Sequence, residues 1–230
     1  MNFRHSDDIW QSFPELVPGV LWSDGITNVA SVDSQIEAFH ATARSRLAAG
    51  SEAELPEISA WRRVFSRMGL KPTQYRCASE ALLRRFRKEG ALPRIHPLID
   101  LCNAVSLASA TPVAVFDLAK VDGFLEVRHA AGNETYRAFS GETEHPEPGE
   151  VIFADAAASA HARRWTNRQS ALSAVRAETR TVLIVAEAMH ETAATDVASL
   201  IAALAQAIAA AWPAAPRTAL LSRAAPGFEF

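Results

Sequence analysis

The hydrophobic pattern changes period at Pro112, and that switch constrains the fold more than any other feature of the chain. Before it, apolar residues recur every three or four positions; after it, they come in short runs divided by turn residues. Residues 34–49 carry Ile36, Phe39, Ala43 and Leu47 at a helical period, and Gly50 stops the segment. Pro56 can open a second helix with an apolar stripe of Trp61, Val64, Phe65 and Met68 ahead of Gly69. A third helix is expected over 79–89, with Leu82, Leu83 and Phe86 inward, Arg84, Arg87 and Lys88 near water, and Gly90 as its stop. Pro93 and Pro97 frame a loop, and 98–109 reads as a buried helix.

Downstream, strands are expected at 113–116, 124–128, 135–139, 150–153 and 181–187. Turns fall at Asp122-Gly123, Gly132-Asn133 and 146–149. One earlier strand, 17–22, closes at Asp24-Gly25. The alanine-rich stretch 194–211 reads as an amphipathic helix with Val197, Leu200, Ile201, Leu204 and Ile208 on one face, and the tail to Phe230 reads as irregular. At 230 residues and 49% hydrophobic, the chain can fill one large core. The expected class is therefore α/β in the α+β sense: a single compact domain, mainly antiparallel sheet with helices packed on it. Residues 1–190 form the main body, and 191–230 supply a C-terminal helix and tail packed on the same domain.

The formal net charge is −3, which excludes a uniformly basic nucleic-acid binder. Residues 62–94 nevertheless carry +8, leaving −11 for the rest. A basic segment on an acidic protein is one way to build a footprint for a polyanion; the alternative is a helix surface whose arginines pair with acids elsewhere. Two cysteines without a C-x-x-C pair point to a reducing, cytoplasmic address rather than a disulfide scaffold. The start M-N-F-R-H-S-D-D lacks the apolar run of a signal peptide. The uncharged stretch 197–212 falls short of the ~20 residues of a membrane span, so no membrane partner is expected.

Phosphate-loop, G-x-G-x-x-G and G-x-S-x-G motifs are missing, and the seven histidines stand singly. No metal site or cofactor is expected. Cys77 and Cys102 sit among apolar residues and read as buried thiols rather than nucleophiles. What remains is polar side chains set into apolar elements: Asn103 and Ser106 within L-I-D-L-C-N-A-V-S-L, Glu187 at the end of T-V-L-I-V-A-E, and Trp165, Asn167, Arg168 and Gln169 within R-R-W-T-N-R-Q-S. Such groups can orient a carbonyl, an amine and hydroxyls. Each also has a plain structural alternative: a helix-to-loop hydrogen bond for Asn103 and Ser106, exit from the strand into solvent or pairing with arginine for Glu187, core packing for Trp165.

Five blocks in one order carry a resemblance: S-E-A-L-L-R-R (79–85), L-P-R-I-H-P-L-I-D-L-C-N-A-V-S-L (92–107), F-D-L-A-K-V-D-G (116–123), P-G-E-V-I-F-A-D (148–155) and R-R-W-T-N-R-Q-S (163–170). Together they resemble freestanding relatives of the editing, or B-three/four, domain of the phenylalanyl-tRNA synthetase β subunit. The similarity extends in scattered blocks over 17–187. In the synthetase that domain hydrolyses wrongly charged aminoacyl-tRNA. The resemblance aligns Asn103 and Asp117 with an asparagine and an aspartate of the family, and Ala114 with its editing histidine, which is missing here. It replaces the family's glycine-rich loop by 163–170 and sets Glu187 at the strand end lining the pocket.

The resemblance implies a trans-acting aminoacyl-tRNA deacylase, with aminoacyl-tRNA as partner and no DNA. Glu187 would hold the ammonium or orient water. Asn103, Ser106, Trp165, Asn167, Arg168 and Gln169 would line the substrate site, and Arg62, Arg63, Arg84, Arg85, Arg87 and Lys88 would meet tRNA phosphates. The rival readings are a tRNA- or protein-binding module that has lost hydrolysis, and a small-molecule binder on the same fold.

Overall fold

A computed structural model describes residues 1–230. In chain order it contains β1 (Asn2–His5), α1 (Asp7–Ser12), β2 (Val17–Ser23), α2 (Asp33–Ala49), α3 (Pro56–Arg67), α4 (Ala78–Glu89) and α5 (Pro97–Ser109). There follow β3 (Val113–Asp117), β4 (Phe124–His129), the short pair β5 (Tyr136–Arg137) and β6 (Thr143–Glu144), β7 (Val151–Asp155), β8 (Ala160–Arg163) and β9 (Arg168–Gln169). The last elements are β10 (Val182–Ala188), α6 (Ala193–Ala211), β11 (Arg217–Leu220) and β12 (Gly227–Glu229).

Local chemistry sets the helix limits. Pro56 and Pro97 occupy the first turns of α3 and α5, where a missing N–H leaves no bond unmade. His96 caps α5 by accepting the Leu98 N–H at its Nδ1. Gly90 ends α4 in the left-handed conformation, at φ 76°.

The strands form two sheets and a hairpin. The larger sheet runs β12-β1-β4-β7-β8-β9, antiparallel except for β1 beside β4. The smaller, β11-β2-β10-β3, is antiparallel throughout. All seven residues of β10 are buried, because the smaller sheet is covered on both faces. Leu183 and Val185 join a core shared with Phe116 of β3, with Phe3 and Phe153 of the larger sheet and with Trp61 and Phe65 of α3. Val182, Ile184 and Ala186 face the other way, into a core built with α2, α5 and α6. By the two-residue period of a strand, Glu187 belongs to the first of these faces.

The tail read as irregular supplies two edge strands, β11 and β12, and β1 at the other extreme went unread. All three are short, with outward polar residues, so alternation hardly registers in them. The strand expected over 135–139 is reduced to Tyr136–Arg137, which turns back at Gly141 to pair with Thr143–Glu144. By length and hydropathy α6 is long and apolar enough to cross a membrane, contrary to the estimate from 197–212. In this fold its Val197, Leu200, Ile201, Leu204 and Ile208 are buried, and the helix lies against β2.

That contact is close because β2 carries Gly19, opposite Ala186 of β10. A Cβ at Gly19 would come within 2.5 Å of both Ile201 and Val197. Strand propensity alone favours Gly19→Val by up to about 1 kcal/mol. Overpacking against α6 outweighs it, so the variant is expected to be destabilised by about 1–3 kcal/mol, measured as a lower urea midpoint at unchanged slope.

Candidate functional site

Four segments converge at the end of β10. The Glu187 side chain is 2% exposed, and its Oε1 accepts two hydrogen bonds, from His5 Nε2 at 2.7 Å and Trp165 Nε1 at 3.0 Å. The Glu187 carbonyl accepts a third, from Trp61 Nε1 at 3.1 Å. Its Oε2 makes no hydrogen bond within the chain, and Glu187 is part of the wall of a cavity of about 60 Å³. Pro112, Val113 and Ala114 at the start of β3, Phe153, Ala162, Val185, Ala78 and the run Trp165–Gln169 complete that wall.

The loop between β8 and β9 is held firmly. Arg163 is buried and its guanidinium donates to Glu150 at 2.9 and 2.8 Å and to Glu144 at 2.6 Å. The hydrogen bond to Glu150 raises its pKa above the ordinary arginine value. The Trp165 N–H donates to the Val151 carbonyl at 2.7 Å. Arg164 and Trp165 both take left-handed backbone, at φ 47° and 57°. For a bulky side chain that conformation costs energy and persists only where its surroundings enforce it. Here it drives the indole into the core, edge-on to Phe13 and Trp61 with centroids 4.8 and 5.2 Å away.

The sequence-predicted residues divide. Glu187, Trp165, Asn167, Arg168 and Gln169 line one cavity. Three of them are also tied to the scaffold: Asn167 Nδ2 donates to the Arg76 carbonyl at 2.7 Å, Gln169 Nε2 donates to the Val115 carbonyl, and Arg168 forks onto Glu144 at 3.0 and 3.1 Å. That hydrogen bond to Glu144 also raises the Arg168 pKa. Asn103 is elsewhere, in a wider cleft of about 380 Å³ with Asp33, Glu37, His40 and Arg94. Ser106 is buried and donates to the Thr111 carbonyl at 2.7 Å, the helix-to-loop bond that was its alternative. A pocket joining the Asn103 helix to Glu187 is therefore corrected: the β3 residues that follow that helix supply the wall.

The basic residues of α3 and α4 are partly neutralised. Arg62 forks onto the buried Glu80 at 2.7 and 3.2 Å, and that hydrogen bond raises its pKa. Arg84 and Arg87 meet Glu52, and Arg85 meets Glu89 one turn on. Arg63 and Lys88 are exposed and make no ion pair.

His5 is the site residue that sequence reasoning missed. The faint signal is the alternation N-F-R-H, which buries Phe3 and His5 on one side of β1. Two other clusters invite a chemical reading. His161 lies 2.9 Å from Ser173 Oγ and 3.1 Å from Asp155 Oδ2, in triad order. Asp155, however, also accepts the N–H groups of Asp122, Ala157 and Ser159, all three residues are buried, and none lines a cavity described above. The cluster pins a turn. Glu57, His190 and Asp196 approach within 4.8 Å, as a metal site would. Both Glu57 oxygens already accept from Arg46, at 2.7 and 2.8 Å, and His190 bonds Asp196 at 2.7 Å. The positive charge there is the guanidinium.

The family model described as "B3/4 domain" matches residues 60–205. Among curated proteins, the chain is 38% identical over 76 residues to the phenylalanine–tRNA ligase beta subunit of Bradyrhizobium diazoefficiens, covering 33% of this chain and 9% of that protein. It is 32% identical over 75 residues to the beta subunit of Chromobacterium violaceum, covering 33% and 10%. The match thus spans about a tenth of the length of these relatives. Among solved structures, an N-terminal fragment of the phenylalanyl-tRNA synthetase beta subunit from Pyrococcus horikoshii superposes with a TM-score of 0.50 at 10% identity, over 94% of this chain and 50% of that one. At that identity the likeness is one of fold.

Burial pushes the Cys77 thiol up to about 11 and raises Cys102 as well. Neither is expected to react with iodoacetamide at pH 8 in the folded protein, and both should react in urea. Native labelling, read by mass spectrometry, would restore a thiol to the list of candidate nucleophiles.

Proposed function

The chain belongs to the B3/4 domain family, and from that premise we propose that it is a trans-acting aminoacyl-tRNA deacylase, hydrolysing the ester between a wrong amino acid and its tRNA. The observation carrying this reading is the Glu187 carboxylate: buried, fixed through one oxygen by His5 and Trp165, without a hydrogen bond at the other, and part of the wall of a cavity. A desolvated carboxylate with one free oxygen suits the α-ammonium of an aminoacyl ester, or the water that attacks it.

In the reaction, water oxygen bonds to the ester carbonyl carbon and the bond from that carbon to the ribose oxygen breaks. The ribose hydroxyl leaves with one proton of the water, and the free amino acid keeps the remainder. The ester is already activated, so no nucleophilic side chain, cofactor or metal is called on. Asn167 and Gln169 each donate to a backbone carbonyl through nitrogen, which leaves their side-chain oxygens as acceptors at the cavity. Trp165 acts as wall and donor. Arg168, held by Glu144, places positive charge at the mouth for a carbonyl or phosphate. A cytoplasmic location accords with this substrate. Asn103 and Ser106 take no part in the reading.

The tRNA body would meet the outer face of α3 and α4. Arg63 and Lys88 offer unpaired charge there, and Arg84, Arg85 and Arg87 are exposed enough to exchange carboxylate partners for phosphate. Arg62 is needed by Glu80 and contributes field rather than contact. A non-catalytic tRNA- or protein-binding module is the second reading, favoured by Ala114, which lines the cavity where the resembling family has its histidine.

Glu187→Gln keeps the shape and one acceptor while removing the charge. Deacylation of a mischarged substrate is expected to fall by about two to three powers of ten, with tRNA affinity unchanged. Full activity in the folded variant discards this residue; wild-type protein that binds a broad panel of charged tRNAs and hydrolyses none supports the second reading.

Charge reversal separates the footprint from the cavity. Arg63→Glu with Lys88→Glu breaks no ion pair, so it is expected to lower tRNA affinity and flatten its salt dependence by about one unit of log–log slope per phosphate lost, at unchanged thermal stability. Unaltered affinity removes α3 and α4 from the interface.

A further inference from the structure

We infer that the Glu187 cavity admits only amino acids with small side chains, of the size of glycine, alanine, serine or cysteine, and that Trp165 sets this limit. The inference rests on the deacylase reading and names its substrate class.

Size is the first argument. The cavity measures about 60 Å³. A water-sized group takes roughly 30 Å³, and an apolar cavity that holds a benzene ring is on the order of 150 Å³. The space is less than half of such a cavity, and an aromatic ring does not enter. Since the wall includes Glu187, an ammonium held by its carboxylate shares this space with the side chain and leaves room only for a small one.

The second argument concerns rigidity, because a small cavity discriminates only if it cannot open. The wall includes Trp165 beside Glu187, and this residue is 0% exposed. Its Nε1 is bonded to Glu187, its N–H is bonded to Val151, and its ring is flanked by Phe13 and Trp61. Its left-handed backbone is held by the Arg163–Glu150 fork and by the Arg164 N–H, which donates to Glu150 at 2.9 Å. Withdrawing the indole would break this set together. The rest of the wall includes Ala78, Ala114, Ala162 and Val185, whose short side chains cannot swing aside, and the longer Asn167, Arg168 and Gln169, each tied to the scaffold by hydrogen bonds.

The third argument concerns polarity. The Thr166 hydroxyl is buried without a partner, and Thr166 is part of the wall. A hydroxyl or thiol on the substrate could meet it, whereas a larger aliphatic side chain would leave it unsatisfied.

The test uses the full chain and tRNAs charged with alanine, serine, valine, phenylalanine or tyrosine, together with the non-hydrolysable 3′-amide of alanyl-adenosine. Alanyl and seryl esters are expected to be cleaved at least about 10²-fold faster than the aromatic ones, since steric exclusion is the strong direction of size discrimination. Trp165→Ala should gain phenylalanyl-ester cleavage. Because loss of a buried indole can unfold the chain, Ala114→Leu is the companion: it fills the cavity from a partly exposed position and should abolish cleavage of the small esters with circular dichroism unchanged. Equal cleavage of alanyl and phenylalanyl esters overturns the size limit and leaves the deacylase standing. A folded Trp165→Ala variant that still rejects the phenylalanyl ester overturns the part given to Trp165. No cleavage of any ester, but binding of the alanyl amide that Ala114→Leu abolishes, upholds the size limit and overturns the deacylase. Neither cleavage nor amide binding overturns both.

Discussion

A carboxylate buried on a strand that is covered on both faces must be given donors, and much of the aromatic core is arranged to give them to Glu187. Removing such a group from water costs several kcal/mol unless hydrogen bonds replace the solvent. No single neighbouring element could supply them. One donor comes from β1, one from the loop before β9, and the backbone oxygen of the same residue is met from α3. The identity of these residues follows. A leucine at Trp61 or Trp165 would fill space but leave an acceptor bare, and the two indoles then pack edge-on with each other. The polar site and the apolar core are thus one construction, in which the tryptophans serve both.

The helices were legible in the sequence because each has a one-sided apolar period and a local start or stop: Pro56 opening α3, Gly90 after α4, Pro97 opening α5. Glu187 was legible as a misfit, a charged residue closing an apolar run. Its neighbours were legible only as a cluster of polar residues in 163–170, whose joint approach to β10 depends on the left-handed turn at Arg164 and Trp165. Asn103 shows the limit of the method. It too interrupts an apolar helix, yet it opens onto α2 and the loop before α5 rather than toward Glu187. Periodicity says that a residue lies off the core face, not which cleft it meets. His5 was legible only as a buried position in the short alternation N-F-R-H, because its partner is 182 residues away and no local pattern encodes the pairing.

The basic segment teaches a related point about charge. Residues 62–94 hold ten cations, but carboxylates inside and outside the segment answer seven of them in the folded chain. The answers differ in kind. Glu80 is 1% exposed and depends on Arg62 and Arg76 to remain buried, so those guanidiniums belong to the core's electrostatics. Arg85 and Glu89 are both about half exposed, and such pairs are worth about 0–1 kcal/mol. Helices α3 and α4 therefore carry a graded surface, from fixed charge beside Glu80 to exchangeable charge at their solvent edge.

The strand that brings His5 to Glu187 has a temporal consequence. β1 lies between β12 and β4, with Phe3 opposite Phe228 on one side and Leu125 on the other. Every contact it makes in the sheet spans most of the chain, and such closures are slow relative to helix formation. During synthesis at about 5–20 residues per second, roughly ten to forty seconds separate the emergence of His5 from that of Glu187. Through that interval the histidine, α1 and the paired helices are present without a pocket to serve. The wall of the cavity runs from Ala78 to Glu187, and Glu187 gains its His5 donor only when β10 reaches the first strand, so a chain cut short of β10 has no site with which to act on anything.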